Sequence, residues 1–311
     1  MKRRNNNYYH IKYYNDYKYN NNVKKLKIII IFFIVLITTI LIIISKSIED
    51  AQKTAQIEQQ KAMQEELLEQ ERAKAEELKK QEEEAARLAK LPKLTEVGKE
   101  NMANIYHSDT KRAFLTFDDG PSTVTPQILD TLKQEGVKAT FFMLGTSIEN
   151  FPETTKRVYD EGHYIANHGY SHIYSSIYSS PEEVLNEFNM CNDAVKKALG
   201  EPEYNSHLFR FPGGMPGGPY ADIKMQAKDI LEQHDILSVD WNALTGDAET
   251  SHPVAEKLME ELQQTTEGKS SVVILMHDAQ AKQVTADMLP QIIAYLREQG
   301  YEFQTFYDII K

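Results

Sequence analysis

An unbroken, charge-free apolar run from Ile28 to Ile44, built almost wholly from Ile, Leu, Val and Phe, constrains this chain more than any other feature. Extended to Leu26 and Ser45 it reaches about 20 residues, the length a helix needs to cross a bilayer. A buried core helix is disfavoured, because no amphipathic partner helix lies nearby in the sequence. A cleaved signal peptide is the nearer rival. The run exceeds a usual signal-peptide core, however, and Ser45-Lys46-Ser47 is followed by no small-x-small cleavage site, so an uncleaved anchor is expected. Before it stand Lys2, Arg3, Arg4, Lys12, Lys18, Lys24, Lys25 and Lys27 against Asp16 alone, and the region after it turns acidic. The excess of cations predicts a cytoplasmic N-terminus, with everything after residue 46 outside the cell.

From Ser47 to Lys90 the chain consists mainly of Glu, Gln, Lys, Ala and Leu and has no Gly or Pro, a strongly helix-forming composition that Pro92 ends. Ile48, Ala55 and Ala62 keep a heptad spacing that Glu69 breaks, so a solvated helical spacer is expected rather than a coiled coil. Such a helix of about 44 residues would extend roughly 65 Å. The predicted organisation is a basic arm at 1–25, a membrane anchor at 26–46, a charged helical stalk at 47–92, a linker at 93–109 and a globular domain at 110–311. A piece of about 200 residues buries a full core. The net charge of −11, with no continuous basic patch in the globular part, argues against nucleic acid as a partner.

Past Lys111, short apolar runs alternate with longer amphipathic ones. Strands are predicted at Ala113–Phe117, Ala139–Leu144, Tyr164–Ala166, Leu208–Phe211, Ile236–Val239, Val272–Met276 and Glu302–Phe306. Helices are predicted at Thr125–Glu135, Pro152–Glu161, Pro181–Leu199, Ala221–Gln233, Pro253–Gln264 and Thr285–Gln299. This alternation predicts an α/β domain with a parallel sheet, closed or open, and helices outside.

Five segments fall at or just past the C-terminal ends of these strands, where such folds build their sites. They are Thr116-Phe117-Asp118-Asp119-Gly120-Pro121, His168-Gly169-Tyr170-Ser171-His172, Arg210-Phe211-Pro212-Gly213-Gly214, Asp240-Trp241-Asn242 and Leu275-Met276-His277-Asp278. Carboxylates with two histidines at i and i+4 suit a divalent metal, since on a helical turn both imidazoles reach one ion. A further His and an Arg suit proton transfer and orientation, which together point to a metal-dependent hydrolase. His107, His163, His207, His234 and His252 lack such company and are expected at the surface or partly buried. The single Cys191 lies among Val184, Leu185, Phe188, Val195 and Leu199 in a helical pattern, so a small core residue is expected and a nucleophile is not.

On these five segments, in this order, residues 110–311 resemble the polysaccharide deacetylases of the NodB-homology family, in particular the membrane-anchored peptidoglycan N-acetylglucosamine deacetylases of Gram-positive bacteria. The resemblance implies a distorted (β/α) barrel behind the transmembrane helix and helical stalk. It assigns Asp118 as general base, Asp119, His168 and His172 as ligands of a divalent metal, zinc first with cobalt or another ion as alternatives, and Arg210 as the partner that orients Asp118. It assigns His277 as general acid, Asp247 as the carboxylate that tunes it, with Asp240 a weaker rival, and Leu275 as a wall of the acetyl pocket. Trp241, the only tryptophan, is either core or a lining of the sugar pocket. Gly213 stands where the family often has Tyr, so its N–H remains available to an oxyanion while a ring is missing; Ala248 likewise stands where a Trp often follows the tuning acid.

The implied activity is hydrolytic removal of the N-acetyl group from N-acetylglucosamine in peptidoglycan, releasing acetate and reducing muramidase cleavage. The implied location is the cell membrane, as a single-pass protein with its catalytic domain facing the wall. The alternatives are an exopolysaccharide, N-acetylmuramic acid or a chitooligosaccharide as substrate, and a glycan-binding pseudo-enzyme.

Overall fold

The computed structural model describes residues 5–215, 217–249 and 254–311. Lys2, Arg3 and Arg4 of the basic arm, His252, and Pro253 at the start of a predicted helix lie outside the described residues. The chain divides into two compact units, Met1–Ala86 and Arg87–Lys311.

Helix α1 (Asn5–Leu88), all but its last two residues in the first unit, carries the apolar run and the charged stretch without interruption, as a Gly- and Pro-free sequence allows. Its most apolar window has a mean hydropathy of 3.3 and buries none of itself against protein. The hydroxyls of Thr38 and Thr39 donate back to the Val35 carbonyl at 2.9 and 2.6 Å, which satisfies the polar atoms within the run.

The second unit holds strands β1 (Arg112–Asp118), β2 (Thr140–Met143), β3 (Tyr164–Asn167), β4 (Leu208–Phe209), β5 (Leu237–Ser238), β6 (Ala243–Leu244), β7 (Ser271–His277) and β8 (Glu302–Phe303). Every pairing is parallel, in the order β5-β4-β3-β2-β1-β7-β6, with β8 beside the start of β1. The sheet is an incomplete barrel: among the described residues no pairing joins β5 to β6. Helices α3 (Thr125–Glu135), α5 (Pro152–Asp160), α7 (Pro181–Leu199), α8 (Ala221–Gln233), α9 (Ala255–Thr266) and α10 (Gln283–Glu298) connect the strands.

Alternation along the strands decides which core each side chain joins. On β1, Ala113, Leu115 and Phe117 pack outward with Phe141, Ile165, Ile274 and the helices. Phe114 points the other way, into an interior cluster with Phe142, Tyr164, Ala166, Leu208, Val239 and Val273. Thr116 and Asp118 share the face of Phe114, so the strand that builds the interior also presents its last residue at the mouth of the barrel.

The interior is completed by residues 93–109, expected to be a linker. They contain helix α2 (Glu96–Ala103), whose Met102, with Ile105 just beyond, packs with Phe306, Ile309 and Ile310 around the short helix α11 (Tyr307–Ile310). The Thr95 N–H donates to the Ile310 carbonyl at 3.0 Å, and the Thr95 hydroxyl caps α2 by accepting from the Gly98 N–H. Cys191 is fully buried on α7 and its thiol donates to the Met143 carbonyl. His163 is also fully buried, beyond the partial burial expected. Its Nδ1 accepts from the Ala139 N–H, and burial pushes its pKa down to about 3, so it is a neutral core residue.

Candidate active site

Asp118 ends β1 and Asp119 starts the turn after it. In the register of the sheet Asp118 lies opposite His277 on β7, and Thr116 lies opposite Leu275, so all four side chains share one face. Asp118 is buried and accepts from Arg210 Nη1 at 2.7 Å. Arg210 is wholly buried just past β4, stacks 3.9 Å over the Phe142 ring, and also donates to Thr116 Oγ1 and to the carbonyls of Val239 and Asp240. The guanidinium therefore has partners on every side and cannot swing away. Burial pushes the Asp118 carboxyl above its usual range, and the charges of Arg210 and His277 oppose that.

Asp119 turns away from Asp118 because its backbone is left-handed, with φ of 72°. His172 is left-handed as well, with φ of 57°. Positive φ is uncommon outside glycine, and here two of the three clustered residues adopt it. The helical turn expected for His168 to His172 is not formed. His168 follows β3 directly and His172 ends an irregular loop, so the imidazoles converge through loop geometry. Their Nε2 atoms lie 3.5 and 3.4 Å from Asp119 Oδ1. The ligand atoms of the three residues all fall within 4.8 Å of one another.

Asp119 Oδ1 is buried and has no hydrogen-bond partner. An orphaned carboxylate oxygen facing two imidazole nitrogens is the donor set a divalent ion would satisfy. The tautomer suits it too: His168 Nδ1 lies 2.8 Å from the Arg210 carbonyl, which can only accept, so the proton sits there and Nε2 faces Asp119 with its lone pair. Burial lowers the His168 pKa to about 3 and keeps the ring neutral.

His277 Nδ1 lies 2.8 Å from Asp247 Oδ1, while Asp247 Oδ2 accepts from the His277 N–H and from Thr285 Oγ1, each at 2.8 Å. Burial alone would lower the His277 pKa, but the hydrogen bond and charge of Asp247, reinforced by Asp118 and Asp119, raise it to about 9. Asp240 is placed elsewhere: its carboxylate accepts from the Met215 N–H, and it does not meet His277. Trp241 is half-buried against the interior cluster and 5.7 Å from the Arg210 guanidinium, so it borders both core and site. Gly213 is exposed at the mouth with φ of 77°, and Leu275 is half-buried on β7.

Two further carboxylates hold this geometry and were not singled out from the sequence. Glu187, buried on α7, accepts from the N–H groups of Tyr170 and Ser171 and from the Ser171 hydroxyl at 2.6–2.7 Å, which fixes the loop carrying His172. Asp278 is fully buried after His277. It accepts from Thr125 Oγ1 at 2.6 Å, its N–H donates to the Asp118 carbonyl, and burial raises its pKa to about 7. Any side chain at Gly120 would collide with the Asp278 carboxylate. Asp278 stands inside a quoted segment; Glu187 reads locally as one more charge on an amphipathic helix, and nothing in its neighbourhood marks it.

A curled parallel sheet with carboxylates, imidazoles and a buried arginine gathered at the C-terminal ends of its strands defines a class of (β/α)-barrel hydrolases. The chain belongs to the polysaccharide deacetylase family, whose profile matches residues 106–236. It is 33% identical over 231 residues to a peptidoglycan-N-acetylglucosamine deacetylase of Bacillus cereus, which covers 73% of this chain and 80% of that relative. Among solved structures it resembles a Streptococcus mutans CE4 esterase with a TM-score of 0.61 and 31% identity, covering 68% of this chain and 92% of the other. It also resembles the catalytic domain of the peptidoglycan N-acetylglucosamine deacetylase of Eubacterium rectale, with a TM-score of 0.58 and 29% identity, covering 65% of this chain and 91% of the other. The protein is accordingly a polysaccharide deacetylase.

Proposed function

We propose that the protein is a membrane-anchored, metal-dependent deacetylase of N-acetylglucosamine residues in peptidoglycan. The observation that carries this reading is the convergence of Asp119, His168 and His172 beside two separate proton-handling pairs, Asp118–Arg210 and His277–Asp247. Asp119, His168 and His172 would hold a divalent ion, zinc in this reading, which when bound supplies Lewis-acid polarisation of an acyl oxygen and activation of water.

Asp118 accepts the proton of the attacking water, held in place by the Arg210 guanidinium so that its free oxygen faces the site. The N–H of Gly213, on an exposed turn, donates to the oxyanion that develops on the acetamide carbonyl. His277, kept protonated by Asp247, delivers a proton to the departing amine nitrogen. The C–N bond then breaks, leaving acetate and an amino sugar. Leu275 borders the acetyl methyl and Trp241 the sugar. The apolar part of α1 would anchor the chain with its N-terminus in the cytoplasm, and the charged part would serve as a stalk for a domain facing the wall.

Zinc-loaded protein incubated with muropeptide oligomers already released from cell wall by muramidase, followed by mass spectrometry, tests the reading. Glucosamine-containing muropeptides together with stoichiometric acetate are expected. Loss of acetyl groups from muramic acid instead, or acetate release only from an exopolysaccharide or chitooligosaccharides, would overturn the substrate; binding without acetate release from any glycan would overturn the enzyme.

A further inference from the structure

The loop after β4 carries two adjacent glycines at the mouth of the site, and each is covered by an aromatic side chain from elsewhere in the chain. A Cβ on Gly213 would lie 2.6 Å from the Tyr174 hydroxyl, and one on Gly214 would lie 3.0 Å from the Trp241 ring. Tyr174 opens the short helix α6 (Tyr174–Ile177), two residues after His172, and its ring meets the His172 ring edge-on with centroids 5.5 Å apart. It is 40% exposed, although its neighbour in the row, Tyr178, is buried. Tyr174 meets Tyr178 and Tyr220 edge-on at 5.8 and 6.4 Å, and Tyr178 and Tyr220 are tilted against each other at 5.2 Å.

A large aromatic left partly open beside a catalytic cluster, while its neighbours are packed, offers an apolar face with a polar tip. That combination suits a pyranose, whose C–H face stacks on a ring and whose hydroxyls hydrogen-bond at its edge. We propose that Tyr174 is a specificity-determining residue that receives the sugar next to the reacting one, its ring resting on Gly213 beside the Gly214–Trp241 contact. Without side chains on the two glycines, Tyr174 and Trp241 can each close onto the loop backbone, and the open part of the Tyr174 ring is left for the glycan. This inference rests on the reading of the site as a glycan deacetylase.

Because Trp241 is the only tryptophan, its emission reports occupancy of this groove without any need for turnover. The zinc-loaded protein would be titrated with chitotetraose by tryptophan emission, and assayed by acetate release from the same oligomer and by hydrolysis of 4-nitrophenyl acetate, which reaches Asp119, His168 and His172 without a neighbouring sugar. Expected for Tyr174→Ala is an increase in Kd and KM of about tenfold, with kcat within about twofold and zinc content retained; Tyr174→Phe should recover the part due to stacking. An unchanged Kd in Tyr174→Ala, or no effect of chitotetraose on wild-type Trp241 emission, would overturn the subsite. A parallel fall in zinc content or ester turnover would mark Tyr174 as a support for His172 and would overturn it equally. Wild-type binding that Tyr174→Ala weakens, with no acetate released from chitotetraose or from muropeptides, would sink the deacetylase reading and leave the subsite standing.

Discussion

At the scale of single residues, Asp118 and Asp119 are chemically identical neighbours that the backbone sends to different surroundings. Asp118 ends a strand against an arginine, and Asp119 turns through positive φ toward two imidazoles. Changing His168 or His172 to Ala should remove most bound zinc and activity together, because each takes away one of three protein donors. Asp118→Asn should retain zinc while kcat falls by about 10²-fold or more, the usual scale of losing a general base. Zinc analysis beside turnover separates the two, and equal zinc loss in all three variants would make Asp118 a ligand. The His277–Asp247 pair gives the pH dependence. A general acid must carry its proton, so activity should fall as pH rises through the His277 pKa, raised to about 9. Asp247→Asn removes the carboxylate that favours the imidazolium, so the alkaline limb should move to lower pH by about one unit or more, with the acidic limb less affected. A pH–rate profile in which that limb stays in place would remove Asp247 from the role.

At the scale of elements, the site depends on a helix that contributes no reacting group. α7 begins on a Ser180 cap with Pro181 at its first position, buries Val184, Phe188, Cys191 and Val195 against the sheet, and thereby points Glu187 at the backbone of Tyr170 and Ser171. Three donors converge on one buried carboxylate, and they lie in the segment that joins His168 to His172. Glu187→Gln leaves a neutral amide with a single acceptor oxygen and a surplus N–H pair in a space built for a carboxylate. Zinc affinity should fall about 10- to 100-fold, as for other changes behind a metal ligand, with a loss of stability of about 1–3 kcal/mol. Chelator competition at equilibrium measures the first and denaturant unfolding the second; unaltered zinc affinity would mean that the loop keeps its shape without Glu187.

For the whole molecule, the fold places the start of the catalytic unit earlier than the first strand. Leu94, Met102 and Ile105 pack with Phe306, Ile309 and Ile310 inside the barrel, and the Thr95 N–H is bonded to Ile310. A chain beginning at Leu94 should therefore be soluble, folded and active, whereas one beginning at Ser108 should lose several buried apolar side chains and unfold at markedly lower denaturant. Equal unfolding midpoints for the two fragments would show that α2 contributes nothing to the core. The reading of the N-terminal segment as an anchor predicts that protease added to wall-stripped whole cells removes the C-terminal domain. A fully protected domain would place it on the wrong side of the membrane.

Much of this architecture is written in local pattern. α3, α7 and α8 run over the residues that periodicity marks, because a helix packed on a sheet must repeat its apolar face at helical spacing and because Pro and Ser punctuate its start. β1 and β7 are legible for a related reason: parallel strands buried on both faces become short continuous apolar runs, and polar residues at their ends stand out. The composition break near Pro92 is equally plain. Other features are invisible at that level. β6 is two residues long and exists only because β7 offers an edge; α2 has little apolar character until Met102 enters the barrel. The left-handed backbones of Asp119 and His172, the support from Glu187 and Asp278, and the placing of Tyr174 over Gly213 all arise from contacts between residues far apart in the chain. The sequence by itself determined the elements and the chemical groups at their ends, because those follow from short-range periodicity. Only the tertiary structure decided how the groups meet, because positive φ, buried carboxylates and aromatic walls are held in place by packing that no local pattern encodes.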